Sequence, residues 1–377
     1  MIIFLVAIAL MLYVMIGYPV LLALISRFAP KPVIKADSLK SVSVVIAVHN
    51  GAKFLHDKLE TILALDYPRE LLQVLVVSDG STDDTDDIVR QFDSAGVELI
   101  RTPRAGKPAA LNLAIPSCRG EIVVLTDVRQ PLEPASLRRM ITCYADPTVG
   151  VVSGEMIIRR GTSADQVQVG LYWKYESWIR DHLGKIDSMF GATGPFYSIR
   201  RSLAVHIPDD ILLDDVYLPM SAFFRGYRLI VEKSAVAIDY PTSLRVEFGR
   251  KVRTLAGNYQ IIAAMPGLLG PANRMWFHFV SYKLGRLLMP HALIAVAISS
   301  FYLPGRFALA AIVLQALFYT AAACDCFVPE RTLLKRISSP ACTFVTMMAA
   351  VLCAISVFFV NPRSLWKESK VVVAPES

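Results

Sequence analysis

Charged residues are scarce in this chain of 377 residues. Asp, Glu, Lys and Arg make up 19% of it, against about a quarter in an average globular protein, whereas 54% of the residues are hydrophobic. This balance excludes a disordered chain and a wholly soluble one. Cysteine is also scarce, with six residues and no run that has the spacing of a zinc site. We therefore predict neither a disulfide framework nor a bound zinc ion.

Charge is absent altogether from residues 1–26, and this apolar run is long enough to cross a membrane. The chain begins with Met-Ile-Ile-Phe rather than with basic residues, and the run exceeds that of a secretory signal, so we predict a transmembrane helix rather than a cleaved peptide. Basic residues follow directly, at Arg27, Lys31, Lys35 and Lys40. The positive-inside tendency then predicts an integral protein of the inner or plasma membrane whose middle part is cytoplasmic.

A second apolar region lies near the other end of the chain. It contains three runs, at residues 287–305, 307–324 and 337–362, and predicts a transmembrane bundle over residues 276–362 with a tail at 363–377. Four crossings in all would place the basic tail residues outside, against the positive-inside tendency. Three crossings, with one C-terminal segment re-entrant or interfacial, is the alternative.

Residues 41–240 show a different pattern, in which short β-branched runs alternate with helical stretches. The predicted strands lie at residues 43–48, 73–77, 97–101 and 121–125. Such alternation predicts an α/β domain with a mostly parallel sheet and helices on both faces. Polar residues follow the strand ends, namely His49, Asn50, Asp79 and Asp127. Because ligands bind at the carboxyl edge of such sheets, we expect these side chains to converge on one crevice.

The two aspartates at strand ends each allow two interpretations. Asp79 either belongs to the turn before a helix start rich in capping residues or contacts the base or ribose of a nucleotide. Asp127 ends an apolar strand, where it either closes a turn or holds a ribose hydroxyl or a divalent metal.

Two later segments carry further candidates. Asp214 and Asp215 follow an apolar stretch, where they either favour a helix N-terminus or present a general base, and Asp215 is the candidate base. In a basic stretch within the predicted interfacial segment 243–275, Arg250 and Arg253 suit either a membrane surface or a departing diphosphate, and both roles can hold together. Four aromatic residues on one predicted helix favour core packing over sugar stacking: Tyr172, Trp173, Tyr175 and Trp178.

Six elements in order resemble the family 2 glycosyltransferases, in particular the membrane-embedded branch of cellulose, chitin and hyaluronan synthases. They are His49-Asn-Gly51, Val77-Ser-Asp-Gly-Ser-Thr-Asp-Asp-Thr85, Gly106-Lys-Pro-Ala-Ala-Leu-Asn112, Val124-Leu-Thr-Asp127, Gly191-Ala-Thr-Gly194 and Leu213-Asp-Asp215. The resemblance covers residues 41–260. It implies a GT-A nucleotide-sugar fold, inversion at the anomeric carbon and a divalent metal, Mg²⁺ or Mn²⁺.

The resemblance also implies roles for individual residues. Asp79 matches the aspartate near the uracil, Asp127 the first carboxylate of an Asp-x-Asp metal element, and Asp215 the general base beside Asp214. Donor-binding positions are His49, Asn50, Asp79, Lys107, Asp127, Arg250 and Arg253. The acceptor-lining segment comprises Gly191, Thr193, Gly194 and Pro195.

Two positions depart from the family pattern. Arg129 stands where Asp-x-Asp has its second carboxylate, which puts the usual metal ligation in doubt. The family's Gln-x-x-Arg-Trp is here Arg250-Lys-Val-Arg253-Thr254, so an arginine remains for the diphosphate but the tryptophan that would stack on the acceptor is missing. Glycosyl transfer is therefore better supported than processive polymerisation.

The resulting hypothesis is an inverting enzyme that moves a sugar from a UDP-sugar to a saccharide acceptor and builds a β-linked extracellular or capsular polysaccharide. Single transfer to a membrane lipid is the alternative. Expected partners are the donor, the saccharide or lipid acceptor, the membrane and other polysaccharide export components, but not nucleic acid. Two rivals come from other classes: a nucleotidyltransferase, which would release pyrophosphate, and a non-catalytic membrane channel or assembly partner.

Overall fold

The computed structural model describes residues 1–158, 164–240, 244–329 and 332–362. Its strands are β1 (Val42–Val48), β2 (Leu72–Asp79), β3 (Val97–Thr102), β4 (Ile122–Thr126), β5 (Val149–Ile158), β6 (Phe196–Arg200) and β7 (Arg228–Asp239). Its α-helices are α1 (Ile2–Leu12), α2 (Tyr18–Phe28), α3 (Ala52–Leu63), α4 (Thr85–Arg90), α5 (Lys107–Ser117), α6 (Ser136–Thr142), α7 (Ala164–Ile186), α8 (Asp214–Phe224), α9 (Leu244–Ala264), α10 (Trp276–Phe279), α11 (Gly285–Ser300), α12 (Gly305–Ala323) and α13 (Lys335–Ala354).

The chain divides into two compact units. The sheet unit comprises residues 28–159 and 180–239, and the helical unit comprises residues 1–27, 160–179 and 240–377. Residues 160–179, predicted as part of the cytoplasmic domain, group with the helical unit, whereas the residues that follow the first helix group with the sheet unit. The tail at 363–377 lies outside the described residues.

The sheet unit is built on one mixed sheet, whose seven strands in the described part of the chain follow the order β3-β2-β1-β4-β6-β5-β7. The four predicted strands are present and pair in parallel, and helices α3, α4 and α5 lie on the connections between them. All five residues of β4, Ile-Val-Val-Leu-Thr, are buried, as expected of a central parallel strand covered on both faces. The predicted mostly parallel α/β sheet is confirmed.

Strand β6 runs against its neighbours and determines what lies at the carboxyl edge of the sheet. It pairs antiparallel with both β4 and β5, and its first residue, Phe196, lies opposite Thr126 at the end of β4. The segment just before β6 therefore reaches the same edge as the residue just after β4. Chain order also reverses between β1 and β4, the kind of position where open α/β sheets bind ligands.

A segment without regular structure, residues 29–41, is attached to the sheet unit by ion pairs. The Nζ atom of Lys31 lies 2.7 Å from Oδ2 of Asp187, and Lys35 pairs with Glu232. Asp187 and Glu232 are each only 6% exposed. Two lysines that the sequence assigns to the membrane flank therefore neutralise buried carboxylates of the sheet unit.

Three helices in the described residues are long and apolar enough to cross a membrane: Ile2–Phe28, Gly305–Ala323 and Lys335–Phe358. The predicted run at 287–305 corresponds to α11, which has 16 residues and is not one of the three. Helix α11 packs instead on α1, through Ala7, Ala292 and Val296. Three apolar helices agree with the lower of the two expected numbers of crossings.

Candidate active site

Hydrogen bonds connect the turns that follow β1 and β2 in the sheet unit. The Nδ1 atom of His49 lies 2.8 Å from the carbonyl oxygen of Asp79, which joins the ends of β1 and β2. Asn50 adopts a left-handed backbone conformation, with φ at 50°, and its Oδ1 accepts a hydrogen bond from the amide of Thr82 at 2.9 Å. Short polar side chains tolerate this conformation, so Asn50 stabilises a sharp turn at the crevice.

Asp79 organises the loop that leads into α5. Its carboxylate pairs with Arg104 and accepts hydrogen bonds from the amides of Ala105 at 2.7 Å and Gly106 at 3.0 Å. Asp79 is 2% exposed, and Gly106 has a φ of 99°, which favours glycine. The carboxylate predicted to lie near a base thus fixes the position from which Lys107 begins its helix.

Lys107 connects two of the predicted site residues. Its Nζ lies 2.9 Å from Oδ1 of Asp127 and 3.4 Å from Oδ2 of Asp214. Burial works to lower the pKa of Lys107, but the carboxylates of Asp127 and Asp214 outweigh it and raise that pKa above its ordinary value. Lys107 therefore carries a full positive charge between the candidate donor carboxylate and the candidate base pair.

Lys58 contacts the chain on both sides of Asp127 and was not among the predicted site residues. It is 1% exposed, and its Nζ donates to Oγ1 of Thr126 at 2.7 Å and to the carbonyl of Gln130. Burial lowers the pKa of Lys58 to about 7, against the opposing effect of Asp127. A signal exists in the sequence, since Lys58 interrupts the apolar stripe of α3 formed by Leu55, Leu59 and Ile62.

The acceptor-lining segment is joined to β4 and to α8. The carbonyl of Pro195 accepts hydrogen bonds from Oγ1 of Thr126 at 2.8 Å and from the amide of Asp127 at 3.3 Å. At its other end, the amide of Ala192 donates to the carbonyl of Asp215 at 2.7 Å. The residues at 191–195, Asp127 and Asp215 therefore lie in one part of the sheet unit.

Glycine is required where this segment meets the candidate base. A Cβ atom on Gly194 would lie 2.8 Å from Oδ2 of Asp215, and one on Gly191, whose φ is 113°, would lie 2.7 Å from a methyl group of Val216. Both distances are shorter than a Cβ atom ordinarily tolerates. The segment can therefore lie against the start of α8 because its two glycines lack side chains.

Asp214 and Asp215 form the first turn of α8, and their surroundings differ. Asp214 is 4% exposed and lies beside Lys107. Burial, together with the charge of Asp214, raises the pKa of Asp215 to about 6, although Lys107 opposes the shift. In the described part of the chain, the carboxylate of Asp215 accepts no side-chain or backbone hydrogen bond. A carboxylate with a raised pKa and no internal donor is well suited to accept a proton from a substrate.

The metal-binding capacity of the site depends on Asp127 and Arg129. The guanidinium of Arg129 does not replace a ligand, because it pairs at 2.8 Å with Asp239, which is 1% exposed. The Asp127 side chain is 38% exposed and follows the last residue of β4 at the carboxyl edge of the sheet. Magnesium in nucleotide sites often uses one or two carboxylates together with substrate phosphates, so Asp127 fits a metal that the donor completes.

The remaining predicted residues belong to the helical unit. Arg250 lies on α9 with its guanidinium 3.5 Å from Glu247, and Arg253 lies one turn further along. Their role towards a diphosphate stays a prediction. Of the predicted aromatic cluster on α7, Tyr172 and Trp173 both lie under the ammonium of Lys251, at 4.3 and 5.4 Å from their ring centroids.

Comparison with known proteins gives the class to which this architecture belongs. Residues 43–207 match the family model described as Glycosyl transferase family 2. The fold is similar to that of the mannosyltransferase PcManGT from Pyrobaculum calidifontis, solved in complex with GDP-Man and Mn²⁺. The TM-score is 0.74, and the identity is 25% over 95% of this chain and 99% of that one. The mixed sheet and its site therefore form a GT-A fold.

Curated relatives give a narrower placement. A poly-beta-1,6-N-acetyl-D-glucosamine synthase of Staphylococcus aureus is 24% identical over 242 residues, which are 62% of this chain and 58% of the relative. A probable glycosyltransferase of Bacillus subtilis, YdaM, is 25% identical over 252 residues, 63% of this chain and 59% of the relative. The chain thus matches less than two thirds of the length of these relatives. It contains a glycosyltransferase family 2 domain, and the comparisons support a glycosyltransferase.

Proposed function

We propose that the protein is an inverting glycosyltransferase that moves a sugar from a UDP-sugar to a saccharide acceptor and builds a β-linked extracellular or capsular polysaccharide. The single observation that carries the proposal is the environment of the Asp215 carboxyl, whose pKa is raised to about 6 and which adjoins Gly194 in the acceptor-lining segment 191–195. Across Lys107 lies Asp127, the carboxylate at the carboxyl edge of the sheet.

The reaction follows from this arrangement. The acceptor hydroxyl attacks the anomeric carbon on the face opposite the nucleoside diphosphate while Asp215 takes its proton, and the bond from the anomeric carbon to the phosphate oxygen breaks. Proton removal by a placed carboxylate contributes about 10²- to 10⁴-fold. The second substrate is held by the segment at 191–195, which converts an encounter between two sugars into a positioned attack.

Positive charge near Asp127 serves the leaving group. Lys107 is held charged at 2.9 Å from Asp127 and is available to the diphosphate as its negative charge develops. A divalent metal held by Asp127 would supply several kcal/mol of further charge stabilisation at the leaving oxygens. We place the metal, Mg²⁺ or Mn²⁺, at Asp127 alone, because Arg129 is committed to Asp239.

The membrane helices are part of the proposal. The sheet unit lies on the cytoplasmic side, where nucleotide sugars are made, and the three apolar helices anchor the protein in the inner or plasma membrane. Such an anchor suits a product that leaves through the membrane, with other export components as partners. It suits a lipid acceptor equally well.

A second candidate is transfer from a GDP-sugar to a membrane lipid. It is favoured by the structural similarity to the mannosyltransferase solved with GDP-Man, which extends over 95% of this chain. The missing tryptophan after Arg253 also weakens the case for a processive enzyme. The two candidates share Asp215 as base and differ in donor and product.

The test uses membranes that contain the full chain and separately labelled UDP-sugars and GDP-sugars. Label in high polymer with UDP release supports the first candidate, and label in the organic extract with GDP release supports the second. In either case Asp215→Asn should abolish transfer and leave donor binding intact. Near-normal turnover by Asp215→Asn would exclude Asp215 as base, and release of pyrophosphate would indicate a nucleotidyltransferase.

A further inference from the structure

Arg180, in the last turns of α7, contacts the acceptor-lining segment at several points within the sheet unit. Its Nη1 donates to Oγ1 of Thr193 at 2.7 Å, and its Nη2 donates to Oγ of Ser153 at 3.2 Å and to the carbonyl of Gly191 at 3.4 Å. No motif of the sequence singles out this arginine. A guanidinium has a planar fork of donors, so it can fix several acceptors at once in a way that lysine cannot.

Ser153 and Thr193 transmit this contact to the backbone. Ser153 is fully buried at β5, and its Oγ also accepts a hydrogen bond from the amide of Thr193 at 2.9 Å. Thr193 is 5% exposed. Arg180, Ser153 and Thr193 therefore form a closed triangle of hydrogen bonds, which holds the middle of the segment in place.

The segment fixed in this way carries the candidate base. The amide next to Thr193, that of Ala192, donates to the carbonyl of Asp215, and Gly194 lies against the Asp215 carboxylate. A shift of the segment by about 1 Å would move the acceptor surface away from the base, and misplacement of that size can cost about 10²-fold in rate.

Arg180 also belongs to the set of charges that surround the base. Charged and titratable groups from five elements act on Asp215 or respond to it: Asp214 on α8, Lys107 on α5, Asp127 after β4, Arg180 on α7 and Tyr197 on β6. Two are cations that lower the pKa of Asp215, Lys107 and Arg180, and they oppose burial and the two carboxylates.

We propose that Arg180 is a positioning residue for the acceptor side of the reaction, which holds residues 191–195 against Asp215. The inference rests on the proposed function, because it assigns Arg180 a task only if Asp215 is the base. It goes beyond that function by naming a group that acts on the base through the acceptor segment and through its charge.

The experiment compares two substitutions in the full chain in native membranes. Arg180→Met removes the charge and the fork but keeps the aliphatic stem, and Arg180→Lys keeps the charge alone. The control is Arg200→Met. Arg200 makes three hydrogen bonds to backbone carbonyls near the end of β6, at 2.8, 3.0 and 3.1 Å. The measurement is the rate of nucleoside diphosphate release at saturating donor between pH 5 and 9, together with the affinity for the donor.

We expect Arg180→Met to lower the rate at pH 7 by about 10- to 100-fold, to leave donor affinity within about twofold, and to move the acidic limb of the profile upward by up to about 1 pH unit. Arg180→Lys should restore the position of the limb but only part of the rate. Arg200→Met should leave the limb in place.

Two results would overturn the inference while the proposed function stands. One is an acidic limb of Arg180→Met that coincides with that of the wild type. The other is a limb that Arg200→Met shifts equally, which would indicate a general loss of packing. Wild-type and Asp215→Asn membranes are measured alongside, because turnover by Asp215→Asn would contradict the base assignment itself, and with it the function on which Arg180 depends.

Discussion

Replacing Asp215 by asparagine should make the protein more stable while it removes the activity. The pKa of Asp215 is raised from 3.8 to about 6, so the fold favours the protonated carboxyl. Stability conferred by protonation is fully present below about pH 4 and is lost as the pH rises to about 6, and the loss persists above that pH. Asparagine is uncharged like the protonated carboxyl at every pH, so Asp215→Asn should recover the lost stability.

The expected gain follows from the size of the shift. A shift of about 2 in pKa corresponds to about 3 kcal/mol of stability at pH 8. For a domain of the size of the sheet unit, that is a rise in Tm of about 6 to 12 °C. The gain should shrink as the pH falls from 8 to 4.5 and vanish only well below pH 4, where the wild-type carboxyl is protonated in both states. The activity of the wild type should show the same group, with a rate that increases with pH through about 6.

Asp214 provides a matched control with the opposite sign. It is the neighbouring carboxylate, is 4% exposed and lies 3.4 Å from the Nζ of Lys107, so Asp214→Asn removes a favourable partner of this half-buried cation. We expect that variant to unfold at a lower temperature than the wild type at pH 8. Thermal unfolding of the full chain in detergent, followed by intrinsic fluorescence at pH 4.5 and pH 8, measures all three proteins. An Asp215→Asn variant no more stable than the wild type at pH 8 would refute the argument that burial sets the state of this base.

Two further predictions concern the same edge of the sheet. Gly194→Ala should lower the transfer rate by about 10- to 100-fold with unchanged donor affinity, because its Cβ would displace the Asp215 carboxylate. The control Gly184→Ala, whose Cβ meets only ordinary contacts at 3.5 Å, should keep the wild-type rate. Equal rates for the two variants would contradict this prediction. Arg129→Met should lower the free energy of unfolding by up to about 3 to 5 kcal/mol because buried Asp239 loses the guanidinium at 2.8 Å. Asp239→Asn in the same chain should restore part of that free energy. A weaker donor affinity without a loss of stability would instead place Arg129 on the diphosphate.

The first half of the sheet could be predicted from the sequence because its strands are buried on both faces. Strands β1, β2 and β4 are runs of β-branched and aliphatic residues, and a polar residue follows each one at the expected edge. Strands β5, β6 and β7 were not predicted. Their neighbours are set by pairing between distant parts of the chain, and β6 runs antiparallel, so no local pattern gives its place.

The contacts of the site could be predicted less completely than its members. Asp79, Asp127 and Asp215 carry motifs that identify them, but the sequence does not show that the carboxylate of Asp79 fixes a loop or that Lys107 lies between Asp127 and Asp214. Arg180 belongs to no motif, and its task depends on a segment that begins eleven residues later and folds back on it. Its role is a property of tertiary structure alone.

The reversed direction of β6 has a consequence for how substrate preference can change. The turns that we propose face the nucleotide follow β1, β2 and β4, whereas the proposed acceptor segment enters the sheet in the opposite direction, just before β6. In the described residues the end of β4 and this segment are joined through the carbonyl of Pro195. If the proposed roles hold, exchange of residues 191–195 between homologous proteins should alter the acceptor and preserve the donor sugar. New acceptors could therefore arise by recombination at this junction, without redesign of the catalytic base.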